Sequence, residues 1–215
     1  MIELVVLDIA GTTVEEYSAV YVALEEAVRA AGGSPTEADI QRWMGADKRE
    51  AIAGMVPHES TVDVTLADFR SRLAAAYTAV SPHLLPGVGE ALTKLRANGI
   101  KVALTTGFDR GITDSLLAMV GVDNTIVDAV VCADDVAAGR PAPYMIFRAM
   151  ELTGVRDVRR VLTAGDTVRD LEAGNNAGAA MVVGVLSGGL DATTLGAVRH
   201  THLLPSVADL PALLC

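Results

Sequence analysis

Alternation is the feature that most constrains how this chain can fold. Short apolar runs rich in β-branched residues recur at 2–7, 101–104, 129–132, 161–164 and 181–185, and helical periodicity fills the intervals around 87–97, 110–120, 143–152 and 169–178. The runs are too short for buried helices and read as strands covered on both faces. Strands alternating with helices imply an α/β fold: a Rossmann-like parallel sheet with helices on both sides. Hydrophobic residues make up 51% of the 215, enough for a sizeable core, while aromatics are only 4%, so Ala, Val, Leu and Gly must fill it.

One stretch breaks the pattern. From about 16 to 80 there is helical periodicity and no convincing strand. Helices are expected over 17–31, ending at Gly32-Gly33, from Thr36 to Trp43, over 47–55, and over 62–80 before Ser81-Pro82. The reading is an all-helical domain, 16–81, inserted into a core formed by 1–15 and 82–215. Two connections, near 14–18 and 80–86, then cross between them.

Net charge is −10 with no basic cluster, which argues against nucleic acid as a partner. Cys132 and Cys215 form no disulfide or metal-spacing pattern. The apolar start, 4–7, is too short for a signal peptide, and no stretch reaches the roughly 18 apolar residues of a membrane span. A reducing, cytoplasmic protein, monomer or homodimer, is expected. His83, His200 and His202 read as surface or packing residues, and Tyr17, Trp43 and Met44 as packing within the helical insert.

In an open α/β sheet, ligands bind beyond the carboxyl ends of the strands. Four segments with chemical content fall there: 8–13, 105–109, 139–143 and 165–170. Asp8 follows a buried strand, where a carboxylate has little structural purpose. Gly11 lets the backbone approach a ligand closely. Asp166 and Asp170, four apart at a strand-to-helix junction, can face one site. Three crowded carboxylates repel one another unless a hard cation joins them, and Mg²⁺ suits an all-oxygen site. Thr106 and Gly107 offer a hydroxyl and an N–H to a phosphoryl oxygen, and Arg140 a cationic fork. Together these residues form the kit for phosphoryl transfer through an aspartyl-phosphate.

These residues resemble the haloacid dehalogenase superfamily over nearly the whole chain. The resemblance implies Asp8 as nucleophile, Thr106 as second-motif hydroxyl, Arg140 as cation and Asp166/Asp170 as metal acids, with 16–81 as a cap that closes over the site. Asp8-Ile9-Ala10-Gly11-Thr12-Thr13, Thr105-Thr106-Gly107 and Gly139-Arg140-Pro141 further resemble phosphonoacetaldehyde hydrolases. That likeness implies a main-chain metal contact from Ala10, substrate contacts from Gly11, Thr12, Met44, Gly45 and Gly107, and a small phosphonate or phosphorylated substrate. Met44-Gly45-Ala46-Asp47-Lys48 is similar to the family's cap motif, with Lys48 at the position that forms a Schiff base.

Ala10 stands where most phosphatases of the superfamily carry a second Asp as general acid. An alkoxide leaves poorly unless protonated. C–P cleavage avoids that need, because the leaving carbon departs as an enamine of the lysine imine. Asp47 and Glu50 read as a capping box that makes Lys48 the first helical residue, where the helix dipole depresses its pKa. The bland reading of Lys48 is a solvated lysine beside Arg49 and Glu50. Three positions depart from the hydrolase pattern: Ala51 replaces a histidine, Phe108 a tyrosine and Ser18 a cysteine. His58 could compensate, but nothing in the sequence places it near Lys48. The alternatives are a phosphomonoester or acyl-phosphate phosphatase without Schiff-base chemistry, and a non-catalytic phospho-ligand binding module.

Overall fold

A computed structural model describes residues 1–214; Cys215, expected to be unpaired, lies outside the described residues. The chain runs β1 (Leu4–Asp8), β2 (Val14–Glu15), α1 (Ala19–Ala30), α2 (Glu37–Arg42), α3 (Lys48–Ala53), α4 (Val62–Ala79), β3 (His83–Leu84), α5 (Val88–Ala97), β4 (Lys101–Thr105) and α6 (Arg110–Met119). It continues through β5 (Ala129–Val131), α7 (Tyr144–Thr153), β6 (Val161–Gly165), α8 (Val168–Ala177), β7 (Met181–Val185), α9 (Ala192–Gly196), β8 (His202–Leu204) and α10 (Leu210–Leu214).

Six strands form one parallel sheet in the order β5-β4-β1-β6-β7-β8. Side chains alternate across a strand, so β1 divides its residues between two cores. Val5 and Leu7 join Val88, Leu92 and Leu95 of α5, while Leu4 and Val6 join Met145, Ile146 and Ala149 of α7. Both faces are therefore covered, as the unbroken apolar runs predict. β1 lies inside the sheet, with Asp8 paired to Thr105 at its carboxyl end. The doubly covered sheet thus aims Asp8 at the one open edge.

The stretch from 16 to 80 contains helices and no strand, as expected. In α1, the buried residues Val20, Ala23, Leu24, Ala27 and Val28 follow helical spacing and pack on α4 through Leu66, Phe69 and Leu73. Phe69 is wholly buried, and burial of that size is worth roughly 2–3 kcal/mol. The two crossing connections pair with each other as a short antiparallel ribbon, Val14 opposite Leu84 and Glu15 opposite His83. Tyr17 is not packed into the helical block: it is 55% exposed and its hydroxyl meets His83 Nδ1 at 3.4 Å across this ribbon. Tyr17 and Ser18 both adopt left-handed backbone conformations there (φ 56° and 58°), which costs non-glycine residues of order 1 kcal/mol each. No helix among the described residues is long and apolar enough to cross a membrane.

Candidate active site

The carboxyl ends of β1, β4 and β6 and the loop before α7 bring the expected residues together. Asp8, Asp166 and Asp170 are all buried, and each offers a carboxylate oxygen within 4.8 Å of the others. Arg140 binds two of them through one nitrogen: Nη1 lies 2.6 Å from Asp8 Oδ1 and 2.9 Å from Asp170 Oδ1. Its Nη2 donates to Thr105 Oγ1 at 2.8 Å. A lysine offers a single nitrogen and cannot span three such partners, which gives Arg at this position a geometric reason.

Three buried carboxylates share one guanidinium. Burial pushes the Asp8 carboxyl up to about 6, against the pull of Arg140, and repulsion from Asp170 adds to it. Asp166 is raised well above the usual carboxylate range, first by burial, then by Asp8 and Asp170. The site is short of positive charge and offers only hard oxygen donors, so its residues fit a small divalent cation.

Neighbours hold these carboxylates in place. Thr12, expected at the substrate, is fully buried and donates its hydroxyl to Asp166 Oδ1 at 2.9 Å. Its N–H turns back to the Ile9 carbonyl, so it orients a carboxylate. The Gly11 N–H likewise closes the turn onto Val14. Glycine is required at Gly11, where φ is +80° and a Cβ would lie 2.6 Å from Asp166 Oδ2. Thr167 caps α8 and exchanges hydrogen bonds with Asp170, which fixes this first-turn acid at the site. Thr106 is buried beside Thr105, its Oγ1 accepting from the Phe108 N–H at 3.2 Å.

The helical block reaches this edge through the loop 43–47. Gly107 is the contact point: a Cβ there would lie 2.3 Å from the Ala46 carbonyl oxygen. Gly45 (φ +74°) sits against Thr167, where a Cβ would come within 2.5 Å of Oγ1. Met44 is buried and lines a cavity of ≈ 210 Å³ with Ala10, Gly11, Glu16, Tyr21, Asp166 and Ser187.

Lys48 is not a solvated lysine. It is 5% exposed, donates from Nζ to the Ala46 carbonyl at 2.9 Å, and lies 5.5 Å from the centre of the Phe108 ring. Burial drops its pKa to about 8, opposed by the attraction of Asp8. Burial is thus the largest cause, where the sequence suggested the helix dipole. The capping box is only half made: Asp47 accepts the Glu50 N–H at 2.8 Å, whereas the Glu50 side chain, exposed, makes no return bond to the Asp47 backbone. Ala51 is fully buried in apolar packing, and His58 is exposed on the turn before α4.

The roles of four residues went unread in the sequence. Thr105 positions Arg140. Ser187 donates to the Gly11 carbonyl at 2.8 Å, and Gly188 lies so close to Asp166 that a Cβ would fall 1.8 Å from Oδ2. Arg169 donates to the Arg140 carbonyl at 3.0 Å and stacks on the Trp43 ring at 5.3 Å, tying the Arg140 loop to the helical block. The Ser187-Gly188-Gly189 just beyond β7 was a readable turn signal; the other two depend on tertiary packing.

Three buried carboxylates, a guanidinium and threonine hydroxyls gathered at the carboxyl edge of a parallel sheet suit one class of enzyme, and sequence comparison agrees. The family described as haloacid dehalogenase-like hydrolase matches residues 2–178; the chain belongs to it and is a hydrolase. A phosphonoacetaldehyde hydrolase of Bacillus cereus (strain AH187) is 32% identical over 210 residues, covering 87% of this chain and 76% of the relative. A phosphonoacetaldehyde hydrolase-like protein of Syntrophobacter fumaroxidans is 34% identical, covering 81% and 69%. Among solved structures, a phosphonoacetaldehyde hydrolase-like protein from Oleispira antarctica superposes with a TM-score of 0.85 at 25% identity, covering 99% of this chain and 91% of the other.

Proposed function

We propose that this chain is a Mg²⁺-dependent hydrolase of a small phosphonate or phosphate metabolite, phosphonatase-like, with Asp8 as the nucleophile and Lys48 as an imine-forming amine. The observation that carries this reading is the burial of Lys48: its amine sits on the Ala46 carbonyl and 5.5 Å from the Phe108 ring that follows β4, and burial lowers its pKa to about 8. A buried lysine with a depressed pKa is the amine that carbonyl chemistry uses. We read residues 16–81 as a cap domain over a core of 1–15 and 82–215, with the loop 43–47 as its contact with the site.

Asp8, Asp166, Asp170 and the Ala10 carbonyl would hold Mg²⁺, which when bound neutralises charge on the phosphoryl oxygens. Asp8 attacks phosphorus; the new O–P bond forms as the bond to the leaving group breaks, and water then hydrolyses the aspartyl-phosphate. Arg140 holds the Asp8 carboxylate in place and adds positive charge beside the transferring group. Thr106 and the Gly107 N–H bind a phosphoryl oxygen. With an aldehyde substrate, Lys48 adds to the carbonyl and water leaves to give an iminium; the iminium accepts the electron pair of the breaking C–P bond, giving an enamine that is protonated on carbon and hydrolysed to free the lysine. No acid is then needed at Ala10.

Ala51 and Phe108 favour a second reading. Both lack the polar groups that the hydrolase pattern places there, and both are buried in apolar packing. A phosphatase acting on an acyl phosphate or other good leaving group would keep Asp8, Arg140, Asp166 and Asp170 and use Lys48 only to bind charge. Phosphate release should be measured with Mg²⁺ on phosphonoacetaldehyde, on acetyl phosphate and on an aryl phosphate, with Asp8→Asn as control. Turnover of the phosphonate supports the first reading; turnover of the esters alone supports the second. Wild-type rates in Asp8→Asn would remove the nucleophile assignment from both.

A further inference from the structure

Arg169, in the first turn of α8, takes no part in the chemistry above, but it touches both the core and the helical block. Its Nη1 donates to the Arg140 carbonyl at 3.0 Å. Its Nε and Nη2 each lie 3.4 Å from the Arg42 carbonyl, the last of α2, and a helix end leaves such a carbonyl without an intrahelical partner. The guanidinium carbon sits over the Trp43 ring, 5.3 Å from its centre. Arg42 approaches the same ring at 5.9 Å from within the helical block, so Arg169 is the cation that the core brings to it.

Trp43 is seated from the other side as well. Its ring packs on Gly54, the residue that closes α3, where a Cβ would lie 2.2 Å from Trp43 Cζ2. Trp43 opens the loop 43–47, and Gly54 ends the helix that carries Lys48. One ring therefore braces both ends of the segment that delivers the amine.

On the core side, the Arg140 guanidinium spans Asp8, Asp170 and Thr105, and its aim depends on where its main chain lies. α8 holds that main chain from one helical face at two points. Arg169 bonds the Arg140 carbonyl, and Asn176, two turns further on, donates to the Pro141 carbonyl at 2.8 Å. The Asn176 bond stays within the core, whereas Arg169 bonds the loop and the helical block together.

We propose that Arg169 is a positioning residue that links docking of the helical block, through Trp43, to the placement of Arg140 on Asp8. This rests on the reading of Asp8 as the nucleophile and Lys48 as the amine that works with it. With Trp43 seated, the Arg169 guanidinium is held by the ring and the Arg42 carbonyl, and its remaining donor fixes the Arg140 carbonyl. With the helical block lifted, both of those anchors go, and of the two α8 bonds to the loop only that of Asn176 stays independently held. Nucleophile and amine thus come into register in one event. Arginine suits the task because its planar face stacks on an aromatic ring while its N–H groups donate in the plane; a lysine ammonium cannot do both.

The test compares the full-length wild type with Arg169→Met, Trp43→Leu, the double variant and Asn176→Ala, with circular dichroism to show that each is folded. Trp43 is the sole tryptophan, so its emission reads the contact without any substrate. That emission should change in Arg169→Met, which removes the charge beside the indole, and should match wild type in Asn176→Ala. Kinetics use whichever of phosphonoacetaldehyde and acetyl phosphate the wild type turns over with Mg²⁺. Arg169→Met and Trp43→Leu should each lower kcat by roughly tenfold or more with little change in KM, since a misplacement near 1 Å can cost about 10²-fold. The double variant should be no slower than the slower single one, because two residues of one contact do not act additively. Arg169→Lys should recover only part of the loss. An unchanged Trp43 emission or a wild-type kcat in Arg169→Met, a change confined to KM, or losses that multiply in the double variant would overturn the proposal. Turnover of neither substrate by wild type would instead overturn the reading of the site as a hydrolytic centre, and the Trp43 emission would then decide by itself whether Arg169 holds the helical block.

Discussion

Replacing Lys48 with methionine should make the protein more stable while removing its carbonyl chemistry. Burial lowers the Lys48 pKa from 10.5 to about 8, a fall equivalent to about 3 kcal/mol. The unfolded chain holds this proton more tightly than the folded one. The penalty is therefore fully present below pH 8 and is relieved as the pH rises toward 10.5. Methionine keeps most of the side-chain volume and forfeits the Nζ to Ala46 carbonyl bond, worth about 1 kcal/mol. The net gain at pH 7 is about 2 kcal/mol, or roughly 4–8 °C in thermal midpoint for a chain of this size. Thermal unfolding of metal-free wild type and Lys48→Met at pH 7 and pH 9.5 measures both quantities. The gap between the two proteins should narrow at the higher pH. A variant less stable than wild type at pH 7, or a gap that ignores pH, would refute the claim that Lys48 is held buried against its charge.

Other consequences follow from the same geometry. Arg140→Lys loses the span from Asp8 and Asp170 to Thr105, and kcat should fall by about 10²-fold or more; an unchanged kcat would mean that charge alone matters there. Thr105→Val removes only one neutral partner of Arg140 and should cost about 1 kcal/mol in transition-state stabilisation, read as a several-fold fall in kcat/KM; a loss as large as that of Arg140→Lys would contradict the division of roles. Gly107→Ala must drive the Ala46 backbone outward, because no flexible side chain can yield there. A displacement near 1 Å can cost about 10²-fold in rate, so kcat/KM should drop by that order with the secondary structure intact by circular dichroism; wild-type kinetics would show that the loop 43–47 does not close on the site.

The core was legible because each strand announces itself by local composition. The apolar runs matched β1 and β4 to β7 to within a residue or two; Asp8 and Asp166 fall at strand ends, Asp170 in the first turn that follows, and Arg140 on the loop between β5 and α7, all on the edge where topology alone directs ligands. What escaped depends on distant packing. β2 and β3 have two residues each and no period to detect. β8 is an edge strand, half-buried along its length, and its His202 reads in the sequence as a surface or packing residue with no strand signal around it. Glu16 belongs to no motif in the sequence, and its burial against α1 appears only in the fold. Thr12 shows the converse: its type and position were right, and only the structure reveals that its hydroxyl serves Asp166. The dipole argument for Lys48 gave the correct direction, but the cause is burial, which cannot be read from a six-residue helix flanked by charges.

The central claim is that Lys48 and Asp8 act together on one substrate, and phosphate release from phosphonoacetaldehyde with Mg²⁺ by wild type and Lys48→Arg tests it most directly. Arginine keeps the positive charge and cannot form an imine. The account predicts release by wild type and a loss of about 10³-fold or more in the variant. Equal release by the two proteins, or none from a wild type that still hydrolyses acetyl phosphate, would contradict it.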